Sequence, residues 1–295
     1  LLVISMALVL LGTLYPLAYE LATDGAKISV GVPYYNASFV PLMLLLSAAL
    51  GIAPVLNWKR TPSARLISSL GWVAALSLLL GVALPLVLAD AVSWLVMVTL
   101  VLAFWILLSH GADLFKRTRK GSLPLAYLGM QTAHLGFAVT LIGVAITTAF
   151  SAERDLRMAP GESTEVGSLS VRFLGVARVE GPNYLSDQGE FVVVEDGRRY
   201  TLRPEKRNYL ARQSVMTEAA IDPGLFRDVY LSLGEPLGDG AWAVRVQVKP
   251  FVRWIWLGGL LMALGGVLAV LDARYRRLKI RRAAGSRVAA TETAA

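Results

Sequence analysis

The stretch Leu123–Ala149, LPLAYLGMQTAHLGFAVTLIGVAITTA, determines the class of fold. It contains no Asp, Glu, Lys or Arg, and it is long enough to cross the hydrocarbon core of a bilayer, which takes about 20 helical residues. Stretches of the same character recur along the chain. We predict six transmembrane helices, at Leu1–Tyr19, Asn36–Leu56, Leu66–Ala89, Ala91–Ser109, Leu123–Ala149 and Phe251–Leu271.

The composition agrees with a membrane protein. Apolar residues make up 55% of the chain and charged residues 17%, whereas soluble domains have about 45–50% and about 25%. The absence of cysteine excludes disulfides, a CxxC redox site and a thiolate metal site in this chain. No basic face with interleaved aromatic residues accompanies the net charge of +8, so we expect no nucleic-acid partner. The start at Leu1 lacks a basic leader, and we interpret it as a truncated start, not a signal peptide.

Basic residues indicate the orientation of the spans. They follow the second, fourth and sixth predicted spans, and short basic loops stay in the cytoplasm. The segment 150–250 then lies on the outer side and the C-terminus inside. The clusters are Lys59, Arg60 and Arg65; Lys116, Arg117, Arg119 and Lys120; and Arg274, Arg276, Arg277, Lys279, Arg281 and Arg282.

The segment 153–249 is polar and has strand-like patterns. Apolar and polar residues alternate from Trp242 to Lys249, and Asp196-Gly197 and Asp239-Gly240 are typical of hairpin turns. Leu169–Glu180 is expected to form a strand pair or one long bent strand. We predict a polytopic α-helical membrane protein with one small antiparallel β domain, a sheet or a barrel. The predicted division is 1–150, a five-helix transmembrane bundle; 151–250, the β domain; 251–282, the last helix and a basic end; and 283–295, a disordered tail.

His134 is the one imidazole or charged side chain in the interior of a predicted span; Arg253 lies where the sixth span begins. It lies about eleven residues into the fifth span, roughly 15 Å from its cytoplasmic end. Intramembrane ionisable residues are costly and point to function, and a neutral imidazole nitrogen suits an axial bond to haem iron. A purely structural histidine remains the alternative. A stripe of small residues would let a helix or a flat ring approach closely; it comprises Gly129, Ala133, Gly136, Thr140 and Gly143.

His110 is expected to play a different role. It follows the predicted end of the fourth span, where an imidazole is favoured by the helix dipole. At 1.5 Å per residue it would differ in depth from His134 by roughly a dozen ångströms, which is poor placement for sharing one haem. A second ligand would then come from upstream of Leu1 or from another subunit. We find no phosphate loop, nucleophile elbow, HExxH motif or carboxylate cluster, so the catalytic residues are not assigned.

An ordered series of short stretches resembles the C-terminal half of the CcmF family, and it is densest from about Gly129 to Tyr275. The series comprises Ala133-His134-Leu135-Gly136, Glu153-Arg154-Asp155, Gly181-Pro182-Asn183-Tyr184, Glu205-Lys206-Arg207, Met216-Thr217-Glu218-Ala219-Ala220-Ile221-Asp222, Gly240-Ala241-Trp242-Ala243-Val244-Arg245 and Lys249-Pro250-Phe251-Val252-Arg253-Trp254-Ile255-Trp256.

The resemblance implies a haem lyase component of cytochrome c maturation in the bacterial inner membrane, with the β domain in the periplasm. It implies that His134 is an axial ligand of a membrane-embedded haem b. The implied partners are a haem chaperone, apocytochrome c, other cytochrome c maturation subunits, the lipid bilayer and, as a candidate electron source, quinol. The thiols of the reaction would belong to a CxxCH motif in the apocytochrome.

Several family features are not found in these 295 residues. They are the tryptophan-rich WWD segment, the two outer-side haem histidines and the second intramembrane histidine, which by position would precede Leu1. We therefore expect this chain alone to be inactive as a lyase. Two other classes compete with the lyase: a non-catalytic scaffold or permease-like subunit of a cytochrome assembly complex, and a transporter. A transporter would favour paired spans broken by Gly or Pro, which Pro54 and Pro85 do not provide.

Overall fold

The computed structural model describes residues 1–23, 25–56, 61–88, 91–119, 121, 123–211 and 214–272, apart from the side chain of Arg65. The chain divides into two compact units. One comprises Leu1–Leu141 with Leu257–Ala295, and the other is Ile142–Trp256.

Six long apolar helices in the described part of the chain confirm the predicted spans. They are α1 (Leu2–Ala22), α2 (Val32–Ile52), α3 (Ser63–Leu88), α4 (Trp94–Thr118), α5 (Leu125–Phe150) and α6 (Val252–Leu271). Each is long and apolar enough to cross a bilayer. A 3-10 turn, Ala53–Val55, extends α2.

Helix α4 differs from its predicted range because it continues nine residues beyond Ser109, to Thr118. The apolar run ends at Ser109, but Asp113 and Arg117 form an ion pair four residues apart, at 3.3 Å. Lys116 and Arg117 also lie in the last turn, where cations interact favourably with the helix dipole. Polar residues therefore extend this helix past its hydrophobic segment.

Some residues that carried the orientation argument lie outside the described residues. They are Lys59, Arg60, Lys120 and the basic cluster between 274 and 282. The tail 283–295, for which disorder was predicted, also lies outside the described residues. Lys116, Arg117 and Arg119 are described, and all three are exposed at the end of α4.

The small-residue stripe of α5 packs against α6. Within the first unit, a Cβ built on Gly129 would lie 2.6 Å from the Gly265 carbonyl oxygen, and one on Gly136 would lie 2.7 Å from that of Gly258. At the end of this pair, a carboxylate oxygen of Asp272 accepts a hydrogen bond from the Ala126 amide at 2.7 Å. The sequence left open whether a helix or a flat ring packs on this stripe. In the structure, helix α6 packs there.

In the described part of the β domain, ten strands form two antiparallel sheets. One sheet has the order β1-β10-β9-β8; the other has the order β2-β3-β4-β6-β7, with β5 also paired to β4. The strands are β1 (Ala152–Met158), β2 (Ser163–Val166), β3 (Leu169–Glu180), β4 (Tyr184–Glu195), β5 (Arg198–Leu202), β6 (Glu205–Tyr209), β7 (Ser214–Glu218), β8 (Ala220–Asp222), β9 (Arg227–Gly238) and β10 (Ala241–Pro250).

The core of the domain lies between the inner faces of these sheets. It includes the stacked rings of Phe173 and Phe191, whose centroids are 4.7 Å apart, and Leu231 and Val246 from the other sheet. The small antiparallel β domain of the prediction is present, and it consists of two facing sheets, since each long strand has one face to bury.

Both predicted hairpins are confirmed. Asp196-Gly197 joins β4 to β5, and Asp239-Gly240 joins β9 to β10, with positive φ at all four residues. Leu169–Glu180 forms one strand, and its bend has a local cause: the register with β4 shifts between Phe173 and Gly175, and Gly175 has a φ of 138°. This is the geometry of a β-bulge.

Candidate functional site

His134 lies in the first half of α5, nine residues after its start, and its side chain is half-buried. At 1.5 Å of rise per residue this places it about 14 Å from the end of the helix. It is therefore well inside the apolar length of the helix, as the sequence predicts.

His110 lies beside His134, and the predicted separation in depth is wrong. The ring centroids are 4.8 Å apart with an interplanar angle of 81°, and His110 Nε2 is 3.3 Å from His134 Nδ1. The error came from ending α4 at Ser109. Because the helix runs on to Thr118, His110 is more than two turns from its end and reaches the level of His134.

A hydrogen-bonded network continues from His110 along α4 and α5. Gln131 Oε1 is 2.8 Å from His110 Nδ1. Gln131 Nε2 donates to the Tyr127 hydroxyl at 2.6 Å and to Asp113 Oδ2 at 3.3 Å. The Tyr127 hydroxyl donates to the same carboxylate oxygen at 2.7 Å. The sequence analysis missed this network; a signal for it was the polar spacing of Tyr127, Gln131 and His134 on one face of α5.

The distances in the network favour one position for the proton of each ring. Two oxygens that can only accept face the ring of His110: Gln131 Oε1 at 2.8 Å from Nδ1 and the Leu50 carbonyl oxygen at 3.2 Å from Nε2. The shorter contact favours the single proton of a neutral His110 on Nδ1, facing Gln131, which leaves Nε2 as an acceptor. His134 then donates its Nδ1–H to His110 Nε2. The remaining nitrogen of His134, Nε2, has an unprotonated lone pair and no hydrogen-bond partner among the described residues.

Helix α2 closes the other side of His110. The Leu50 carbonyl oxygen lies 3.2 Å from His110 Nε2, and the Trp105 indole donates to the Ala48 carbonyl at 3.1 Å. A side chain at Gly51 would overlap the Trp105 ring. With 0% of its surface exposed, His110 is enclosed on all sides, whereas part of the His134 ring remains uncovered.

The donor set fits a haem better than a bare metal ion. No group of three or more His, Cys, Asp or Glu able to hold a metal ion occurs among the described residues, whereas a haem needs only one or two axial ligands from protein. A haem-ligating histidine commonly binds through one nitrogen and donates its other N–H to an acceptor. His134 and His110 have this arrangement.

Charged residues of the β domain form ion pairs with one another. Arg245 contacts Asp155 through two hydrogen bonds, of 2.6 and 2.8 Å. This pairing lowers the pKa of the Asp155 carboxyl and raises that of Arg245. Arg227 lies between Glu195 and Asp222, and its burial lowers its pKa. We assign these pairs to the stability of the domain.

The fold and the site together define a class, a polytopic membrane protein with a histidine pair within its helices and an antiparallel β domain between its last two spans. Residues 149–250 match the family model described as the CcmF C-terminal beta-sandwich. The chain belongs to the CcmF family and corresponds to its C-terminal part.

Individual relatives agree with this assignment. The cytochrome c-type biogenesis protein CcmF of Pseudomonas aeruginosa is 50% identical over 292 residues, which cover 95% of this chain and 44% of the relative. CcmF of Escherichia coli K12 is 43% identical over 280 residues, 94% of this chain and 43% of the relative. The chain thus spans less than half the length of these curated relatives.

A solved structure has the same fold. The structure titled cytochrome c heme lyase CcmF superposes with a TM-score of 0.68 and 22% identity, covering 91% of this chain and 44% of that chain. At this identity the likeness concerns the fold alone, and it confirms the fold class predicted from the sequence.

Proposed function

We propose that the chain is the C-terminal part of a haem lyase component, that it holds a haem b within the membrane through His134, and that it takes part in attaching haem to apocytochrome c. The observation that carries the proposal is the free Nε2 lone pair of His134, beside a histidine that accepts its Nδ1–H. The similarity to cytochrome c-type biogenesis proteins supports the role in cytochrome c biogenesis.

The residues of this chain hold and orient the ligand. A haem bound at His134 would supply one-electron chemistry within the bilayer. The packing of α6 on the small residues of α5 holds the backbone next to His134, and the buried His110 holds its ring. A haem chaperone, the apocytochrome with its thiols, other maturation subunits and a quinol electron source are the partners that this function requires.

The absorption spectrum of the purified complete gene product tests this proposal. We expect a low-spin Soret band, and a pyridine haemochrome of the b type with vinyl groups intact. The alternative, a non-catalytic scaffold or permease-like subunit, predicts protein that is folded but contains no haem. Folded protein without haem, even after reconstitution with added haem, would contradict the proposal.

We also propose that the β domain lies in the periplasm of a bacterial inner-membrane protein and that the end of α4 lies in the cytoplasm. Exposed basic residues at the end of α4, Lys116, Arg117 and Arg119, support this orientation because short basic loops remain cytoplasmic.

Single cysteines test the orientation, because the chain has none of its own. Ser163 in β2 and Thr118 at the end of α4 are both exposed. In intact spheroplasts, a membrane-impermeant maleimide should label Ser163→Cys and should label Thr118→Cys only after the membrane is opened. The same protein without the added cysteine provides the blank, and the reverse labelling pattern would refute the orientation.

A further inference from the structure

His110 is buried in the same helical unit as His134 but is not itself available to a ligand. Its surface exposure is 0%, and both of its ring nitrogens contact protein atoms: Nδ1 contacts Gln131, and Nε2 contacts His134 and Leu50. A haem iron could reach neither nitrogen without rearrangement of the helices. The function of this histidine must therefore be exerted through its neighbours.

We propose that His110 is a positioning residue for His134. It accepts the Nδ1–H of His134, which selects the tautomer with an unprotonated Nε2 and holds the ring at a near-perpendicular angle of 81° to its own. This inference rests on the proposed function, because it concerns how His134 presents its free nitrogen to a haem.

The rest of the network explains why His110 is an acceptor at Nε2. Asp113 accepts from the Gln131 amide nitrogen, so the amide oxygen of Gln131 faces His110 Nδ1. That oxygen is a closer acceptor, at 2.8 Å, than the Leu50 carbonyl oxygen is to Nε2, at 3.2 Å, and therefore favours the proton on Nδ1; a neutral imidazole then has none on Nε2. The orientation of one amide thus determines the tautomers of two histidines.

A hydrogen-bond acceptor for His134 Nδ1, the nitrogen that would not bind the iron, has two measurable consequences. It restricts rotation of the ligating ring, which lowers the ordering cost of binding, and loss of such partners typically weakens metal affinity by about 10- to 100-fold. It also increases electron donation from the imidazole to the iron, which favours the oxidised haem. Removal of the acceptor should therefore raise the midpoint potential.

Two amide variants separate the two nitrogens of His110. The amide of His110→Gln falls near the position of Nε2 and can still accept from His134. The shorter amide of His110→Asn falls near Nδ1, so it retains Gln131 as a partner and leaves His134 without an acceptor. Both variants are polar and of related shape, so a difference between them reports the His134 contact. Ser109→Ala is the matched control, because Ser109 is buried on the same helix and, within the described part of the chain, bonds only to the Ile106 carbonyl.

The experiment measures haem affinity, midpoint potential and the electron paramagnetic resonance spectrum of the complete gene product. We expect His110→Gln and Ser109→Ala to resemble the wild type. We expect His110→Asn to bind haem about 10- to 100-fold more weakly, with a raised potential and an altered axial-ligand spectrum. Equal values for the Asn and Gln variants, or a larger effect of Gln, would overturn the positioning role.

Failure of this inference can be told from failure of the proposed function. A wild-type protein without haem, or haem that persists unchanged in His134→Ala, contradicts the haem site itself. Haem that depends on His134 while the Asn and Gln variants behave alike contradicts only the role of His110.

Discussion

Replacement of His134 with alanine is expected to remove the b-type Soret band of the purified protein. His134 Nε2 has the free lone pair in the histidine pair, and His110, which remains, is enclosed and has partners at both nitrogens. Loss of the ligating atom should weaken haem binding by more than the roughly 10- to 100-fold that typically follows loss of a residue supporting the ligand. The measurement is haem per protein by pyridine haemochrome, with the absorption spectrum recorded alongside.

Two further variants make this result specific. Thr132→Val alters a side chain on the same helix whose one hydrogen-bond partner among the described residues is the Leu128 carbonyl, and it should retain haem. His134→Gly leaves space for exogenous imidazole, which should restore a low-spin spectrum. Wild-type haem content in folded His134→Ala would return His134 to a structural role and leave the haem site unsupported in this chain.

The sequence predicted the elements whose signals are local. Long apolar runs identified the six helices. Asp-Gly pairs identified two hairpins, because positive φ at both turn residues is a property of the dipeptide itself. The pairing of β3 and β4 into a sheet that faces β9 and β10 depends on residues far apart in the chain. No short pattern specified whether one sheet or two would form.

The pairing of His110 with His134 was missed because a helix boundary was misplaced. Apolar content ended α4 at Ser109, whereas its ion pair and basic last turn extend it to Thr118. With the true boundaries, His110 lies eight residues before the end of α4 and His134 nine residues after the start of α5. These positions correspond to about 12 and 14 Å of rise. Correct boundaries alone would have placed the two rings at similar depth.

The small-residue stripe was recognised in the sequence, but its occupant was not. Glycines recur at intervals of seven on α5, at Gly129, Gly136 and Gly143, and again on α6, at Gly258 and Gly265. The matching interval was a signal for helix–helix contact, since small residues at equal spacing let two backbones approach along their length. It also separates two roles on α5: the small residues pack against α6, and His134 contacts His110 of α4.

Replacement of Gly265 with leucine is expected to separate α6 from α5 and to destabilise the helical unit. A Cβ at this position would lie 2.5 Å from the Ala133 nitrogen and 2.5 Å from the Gly129 carbonyl oxygen. Both are backbone atoms of α5 and cannot rotate away as a side chain would. Overpacking typically lowers the free energy of unfolding by about 1–3 kcal/mol and occasionally more. Because the contact is with backbone atoms, we expect this variant to fall at the upper end of that range. Thermal unfolding of the detergent-purified protein measures the effect.

Gly266 provides the matched control on the next residue of α6, because a Cβ built there would meet no described atom within 4 Å apart from its chain neighbours and the backbone of its own helix. Gly266→Leu should be neutral or slightly stabilising, since leucine favours a helix over glycine by up to about 1 kcal/mol.

Ala133 directly precedes His134, so separation of α6 should also shift the backbone that carries the ligand. Gly265→Leu is therefore expected to lose haem as well as thermal stability, whereas Gly266→Leu should keep both. Equal stability of the two variants would contradict the close packing of α5 on α6, and stable Gly265→Leu protein with full haem content would show that this packing does not position His134.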